Sequence, residues 1–225
     1  FLSENLKAQQ RDAARNPGML WVGEGGRLWD LPQGAAGKAC ASCHGAARSS
    51  MRGVATRYPA LDGKTGALLN LEGRINRCRT AHQKAAPYAY ESDELLGLTA
   101  FVARQSLGMK MNVDVGGAAA PFYRAGEAFF NRRQGQLNLS CAQCHVDKAG
   151  RRLRGDTISH AVPTGYPVYR LEWQTLGSLH RRLRSCSFGV RAVRFAAGSP
   201  EYLALELYLA KRAQGVPIET PAVRK

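Results

Sequence analysis

The chain has 225 residues, 44% hydrophobic and 22% charged, which suits one large core or two small ones and excludes a disordered tail or a fibre. Lys and Arg number 32 against 17 Asp and Glu, a formal charge of +15 that favours an anionic partner or substrate. No run reaches the roughly 18 apolar residues that a membrane-spanning helix needs, and six cysteines are too few for a disulfide-stapled mini-protein.

In chain order, residues 1–22 are polar and are expected to form an extended arm along a neighbour. The first informative segment is Cys40-Ala41-Ser42-Cys43-His44. C-x-x-C-H is the attachment signature of c-type haem. Two thiols three positions apart add to the two vinyl groups of the macrocycle, and the histidine beside them is held under the iron as its proximal ligand. A thioredoxin-type redox pair needs a βαβ setting, and half a zinc site needs two further Cys or His nearby. Neither accompanies the motif. Haem c is attached outside the bacterial cytoplasm, so the chain is expected in the periplasm as a mature protein whose signal peptide has been removed.

Cys78 follows, and 16 residues later comes a helix opening at Glu94, with Ser92 and Asp93 as its polar start. Its apolar residues recur at helical spacing, as a terminal cytochrome helix requires. Residues 112–121 are rich in Gly and Ala and read as a linker. Pro121 then opens a helix through Phe122 and Phe129 that stops at Gly135. The second motif is Cys141-Ala142-Gln143-Cys144-His145, 101 residues after the first. Gln-Gly pairs precede both motifs at equal offsets, at Gln33-Gly34 and Gln134-Gly135. Cys186 precedes the helix from Glu201 by 15 residues, much as Cys78 precedes its own. The chain is therefore expected to be all-α with much loop. It reads as two tandem cytochrome-c-like domains related by an internal repeat, at 23–111 and 122–225, with two covalently bound haem c. Cys40, Cys43, Cys141 and Cys144 attach them, and His44 and His145 are the proximal ligands.

Each iron needs a sixth ligand. The candidates are Met19, Met51, Met109, Met111, His82, His160, His180, Cys78 and Cys186. Methionine is the usual choice in electron carriers, yet the second repeat has none. Cys78 and Cys186 recur at equivalent places, each with an arginine four residues upstream, Arg74 and Arg182. A lone cysteine is ordinarily a small buried hydrophobe, and a Cys78–Cys186 disulfide would suit an oxidising compartment. The repeat instead favours His44/Cys78 and His145/Cys186 as the axial pairs, with His82 and His180 behind them. A thiolate ligand stabilises ferric iron and lowers the potential. That points to sulfur chemistry at one of the two cysteines.

Charge density selects which. Between Lys148 and Arg194 lie ten Lys or Arg, Arg154 among them, and two acids, Asp156 and Glu172. Nucleic acid is a poor reading, since no recognition motif is present. If residues 178–185 are helical, Arg182 and Cys186 share a face, where a guanidinium favours a thiolate and grips an oxyanion through paired hydrogen bonds. Cys186 and Arg182 are the candidate catalytic residues.

The segments 73–79, 122–127 with 141–145, and above all Gly165-Tyr166-Pro167-Val168-Tyr169-Arg170 through Ser178–Cys186, resemble the SoxA family of sulfur-oxidation cytochromes. The ending Gly198-Ser199-Pro200-Glu201-Tyr202 fits as well. The resemblance covers about 23–215 and is to the dihaem type. It implies a heterodimer with a monohaem cytochrome, SoxX. It also implies oxidative coupling of thiosulfate to a cysteine of the carrier SoxYZ, with electrons passed to an acceptor cytochrome. It further implies that Cys186 carries a persulfide, that Arg182 grips the substrate and that Cys78 serves a structural haem. Two competing functions are a thiosulfate dehydrogenase that makes tetrathionate and a plain dihaem electron carrier.

Overall fold

The computed structural model describes residues 2–153 and 155–225; Arg154, counted above in the basic stretch, lies outside the described residues. The first half carries α1 (Glu4–Arg11), α2 (Met19–Asp30), α3 (Ala41–His44), α4 (Ala47–Ser50), the hairpin β1 (Ala60–Leu61) and β2 (Leu68–Leu69), α5 (Leu71–Cys78) and α6 (Asp93–Arg104). The second half carries α7 (Ala120–Asn131), α8 (Cys141–His145), the hairpin β3 (Arg152–Leu153) and β4 (Asp156–Thr157), and strands β5 (Val168–Arg170) and β6 (Thr175–Gly177). It closes with α9 (Leu179–Gly189), α10 (Pro200–Arg212) and β7 (Ala222–Arg224).

Each half is built on one helix crossing, α2 on α6 and α7 on α10. Glycine lets the axes approach: a Cβ on Gly25 would collide with the Gly97 carbonyl, and one on Gly126 with the Ala204 carbonyl. The later helix of each pair starts at a serine cap. Ser92 Oγ accepts from the Leu95 amide and Ser199 Oγ from the Tyr202 amide, each satisfying an orphan donor of the first turn. α6 is buried almost all round between Leu95 and Ala103. It is clamped between α2 of its own half and strand β6 of the other, where Leu96 and Ala100 join Val22, Tyr169, Leu176 and Val223 in one core.

That core corrects the all-α expectation. Helices dominate, but β6, β5 and β7 form a three-stranded sheet, β5 antiparallel to β6 and parallel to β7, with Tyr169 opposite both Leu176 and Val223. Val168, Tyr169 and Arg170 are all buried, so the strand has no polar-apolar alternation to reveal it.

The ends of the chain differ from expectation as well. The segment read as an extended arm holds helix α1 and the start of α2, and lies along its own chain. Gln10 Oε1 accepts from the Val223 amide at 3.2 Å and Asn16 Nδ2 donates to the Pro221 carbonyl at 2.8 Å. The segment read as a linker begins inside a core: Val113 is buried with Met111, Leu207, Ala210 and Ile218.

Candidate active site around Cys186

The repeat brings equivalent parts together. In the first half, the tight turn at Gly34 (φ 67°) sets the motif loop against the residues after Cys78; the Ala36 amide donates to the Gln83 carbonyl at 3.0 Å. In the second, Gly135 (φ 68°) does the same against the residues after Cys186, with the Gln136 amide donating to the Arg191 carbonyl at 3.3 Å. A Cβ on either glycine would strike the opposing backbone. This explains the shared Gln-Gly offset: it docks each C-x-x-C-H helix against the end of the helix that carries the lone cysteine.

Cys40 leads into α3, Cys43 and His44 lie within it, and Cys78 ends α5. Burial pushes the Cys78 thiol up, opposed by Arg74 and Arg77. Both arginines are tied elsewhere. Asp62 Oδ2 stands 2.9 Å from Arg74 Nη1 and 2.9 Å from Arg77 Nε, and the Tyr58 hydroxyl lies 3.1 Å from Arg74 Nε. Burial opposes the charge on Asp62, but the Lys64 and Thr65 amides, the Thr65 hydroxyl and Arg77 together hold its carboxyl at about 2.

In the second half a capping box starts α8. Ser140 Oγ accepts from the Gln143 amide, and Gln143 Oε1 accepts from the Ser140 amide at 2.9 Å. His145 Nδ1 lies 2.7 Å from the Ser159 carbonyl. A carbonyl only accepts, so Nδ1 carries the hydrogen and the Nε2 lone pair is left for a metal. Burial also holds His145 below its ordinary value, with Arg182 and Arg212 adding to the effect against the Ser159 carbonyl. Cys141 is pushed up to about 11 by burial and by neighbouring Cys186. Cys186 is exposed on α9, with Arg182 one turn before it. Burial opposes the Arg182 charge, and the field of Cys186, Tyr166 and Glu172 more than offsets it. The carboxylate that pairs with Arg182 among the described residues is Glu172 at 4.0 Å, and that group is engaged by Arg170 at 3.0 Å.

The donor sets fit covalent haem. Each centre offers two thiols and one histidine on a single turn, and the second offers a histidine already turned to its ligand tautomer. Among the described residues no group of three or more His, Cys, Asp or Glu side chains is placed to hold a metal ion, so the four ligands of a structural zinc site are not assembled. All six cysteines are free, so the Cys78–Cys186 disulfide is not formed. One alternative ligand is removed by its surroundings: His180 is buried between the two halves, with Nε2 2.9 Å from Glu206 and Nδ1 accepting from the Gly198 amide. His82 is exposed on the turn after Cys78, and Met111 is buried in the inter-repeat core.

Asp62 and Ser159 carried no signal in the sequence. Asp62 sits in an Asp-Gly-Lys-Thr-Gly stretch that reads only as a turn, and Ser159 acts through its carbonyl, which any residue supplies.

A tandem cytochrome c architecture with one exposed, arginine-flanked cysteine is thus defined. The family described as SoxA/TsdA, cytochrome c domain matches residues 24–111 and 125–218, and the chain belongs to it. It is 38% identical over 224 residues to the L-cysteine S-thiosulfotransferase subunit SoxA of Rhodovulum sulfidophilum, covering all of this chain and 78% of that protein. It is 37% identical to the protein of the same name from Pseudaminobacter salicylatoxidans, covering all of this chain and 79% of that one. The crystal structure of SoxXA from P. pantotrophus superposes with a TM-score of 0.96 at 36% identity, covering 100% of this chain and 85% of that one. No helix among the described residues is long and apolar enough to cross a membrane.

Proposed function

We infer that the chain is the SoxA-type subunit of an L-cysteine S-thiosulfotransferase, which couples thiosulfate oxidatively to a cysteine of the carrier SoxYZ. The reading rests on the family membership and on one observation above the rest. Cys186 is exposed with Arg182 one turn away, and among the described residues no carboxylate holds that guanidinium closer than 4.0 Å. Arg74, its counterpart, is locked onto Asp62.

Thiosulfate is drawn in by the basic surface and its oxygens are gripped by Arg182 through charge-assisted hydrogen bonds. Its outer sulfur then faces Cys186. A sulfur–sulfur bond forms between them and two electrons leave. The carrier thiol, having lost its proton, attacks the sulfur held by Cys186, takes the sulfur–sulfonate group and releases the Cys186 sulfur unchanged. The sum is thiosulfate and a carrier thiol going to the carrier S-thiosulfonate, one proton and two electrons.

Covalent haem, when bound, would take the electrons of this oxidation one at a time, the second following after the first has passed to the acceptor cytochrome. Cys40 and Cys43 would attach the first haem and Cys141 and Cys144 the second. His44 with Cys78, and His145 with Cys186, would be their axial ligands. The reading includes a persulfide on Cys186, a periplasmic location, a SoxX partner and a further cytochrome as final acceptor. The name SoxXA carried by the matching structure supports the SoxX partner.

The test is an assay of thiosulfate-dependent electron release with and without the carrier. Release that requires the carrier supports the reading. Tetrathionate formed without it favours a thiosulfate dehydrogenase, and no thiosulfate-dependent release favours a plain electron carrier. Intact mass of the chain counts haems and any added sulfur.

A further inference from the structure

Between the two halves lies a polar cluster that neither cysteine centre uses. Glu72 comes from α5 and is 7% exposed, Glu206 comes from α10, His180 from α9, and Tyr90 and Glu91 from the segment before α6. Glu206 Oε2 accepts from Asn70 Nδ2 at 3.1 Å and lies 2.9 Å from His180 Nε2, which is left without a hydrogen-bond partner among the described residues. Asn70 Oδ1 in turn accepts from the Gly73 amide and the Tyr90 hydroxyl, and the Tyr90 ring stacks on His180 with centroids 6.0 Å apart. The contacts run from one half to the other.

A cavity of about 60 Å³ opens beside the cluster, lined by Glu72 and Thr99 from the first half and Glu206, Thr164 and Thr220 from the second. Thr99 is 2% exposed and its Oγ1 has no hydrogen-bond partner among the described residues. A buried hydroxyl left without a partner is costly. The cavity wall is largely apolar but carries these polar groups, and its volume exceeds the roughly 10–15 Å³ that one ordered water requires.

We propose that this cavity is a water and proton site at the joint of the two repeats, where water links Thr99 Oγ1 to Glu72 and Glu206 and Glu72 holds the proton. Burial and the neighbouring Glu206 push the Glu72 carboxyl up to about 8. The other titratable groups around it are His180, Glu91 and Tyr90. Burial disfavours charge on His180 and Glu206 favours it more strongly, yet the Gly198 amide donates to Nδ1, which requires the neutral ring with its hydrogen on Nε2. Glu91 Oε2 accepts from the Ser178 amide at 3.4 Å while its Oε1 is buried without a partner among the described residues, and burial keeps Tyr90 protonated. Tyr58 and Tyr166 complete the wall. Once Glu72 loses its proton, two carboxylates face each other across the cavity and the docking of the halves weakens.

The experiment uses the full haem-loaded chain and does not depend on turnover. Glu72→Gln mimics the protonated acid, so it is expected to fold at every pH. Infrared spectra of the wild type should show a buried carboxylic acid carbonyl at pH 7 that disappears towards pH 9 and is missing in Glu72→Gln. A folded-state value above the ordinary one gives stability that is complete below about 4.5 and lost as pH rises to about 8. The wild-type unfolding constant should therefore rise with pH over that window, by up to about tenfold per pH unit, and more steeply than that of Glu72→Gln. Thr99→Val should lower the denaturation midpoint, because the water loses a partner. Equal slopes in wild type and Glu72→Gln, or a carboxylic acid signal that persists in the variant, would overturn the proton assignment. An unchanged or raised midpoint in Thr99→Val would overturn the water assignment.

Discussion

Asp62 holds Arg74 at 2.9 Å, and it holds Arg77 at the same distance. The first cysteine centre thus has its cations turned onto a buried carboxylate, whereas Arg182 beside Cys186 has Glu172 only at 4.0 Å. The two halves differ here in how their arginines are paired. That pairing decides which guanidinium is left to meet an anion.

Replacing Asp62 with Asn should show in the acid limb of the stability curve. Its carboxyl sits at about 2 in the folded protein against an ordinary 3.8. The stability it contributes is present above 3.8 and lost as pH falls to about 2. Asp62→Asn should lower the denaturation midpoint at pH 6 and flatten the dependence between pH 4 and 2, as followed by denaturant titration at each pH. Identical acid limbs in the two proteins would show that Asp62 is not held in this way.

Arg182→Ala should raise the thiosulfate concentration needed for half-maximal turnover and lower kcat/KM by roughly 10- to 100-fold, the value of one lost charge-assisted pair. Arg182→Lys should recover only part of this, because an ammonium lacks the two-pronged geometry. Steady-state kinetics of the alanine and lysine variants separate charge from fork.

The rate of carrier-dependent turnover should fall as NaCl is raised, since a +15 chain draws anionic molecules through a screened field. Arg191 is exposed in the turn just after α9, and Arg191→Glu should lower both the rate at low salt and its steepness with salt. Stopped-flow rates over a salt series measure both.

The helix crossings give a stability prediction with an internal control. Gly126→Ala forces a methyl group into the Ala204 carbonyl and should cost roughly 1–3 kcal/mol or more. Gly23, also in a long helix, has open space around its Cβ position, so Gly23→Ala should be neutral or stabilise by up to about 1 kcal/mol. Urea unfolding of both variants checks the contrast.

The helices were legible because their signals are local. Ser92 and Ser199 cap the turns they begin, Pro121 sits in the first turn of its helix, and the four-residue step from Arg182 to Cys186 becomes one turn of α9. The three-stranded sheet was not legible. Its strands are three residues long, β5 is buried throughout, and β7 reaches it from more than fifty residues away. Asp62 shows the same limit at the site, since nothing in its turn announces that Arg74 and Arg77 will fold onto it. The halves of the inter-repeat cluster, Glu72 and Glu206, lie 134 positions apart and carry no shared motif.

The most direct test of the account is the intact mass of the carrier after incubation with thiosulfate, an electron acceptor and either the wild-type chain or Cys186→Met. Methionine remains a possible iron ligand but has no thiolate to offer. The account expects the wild type to add one sulfur–sulfonate group to the carrier and Cys186→Met to add none, while keeping its haem spectrum. A carrier modified to the same extent by Cys186→Met would contradict it and reduce Cys186 to a passive neighbour of the haem.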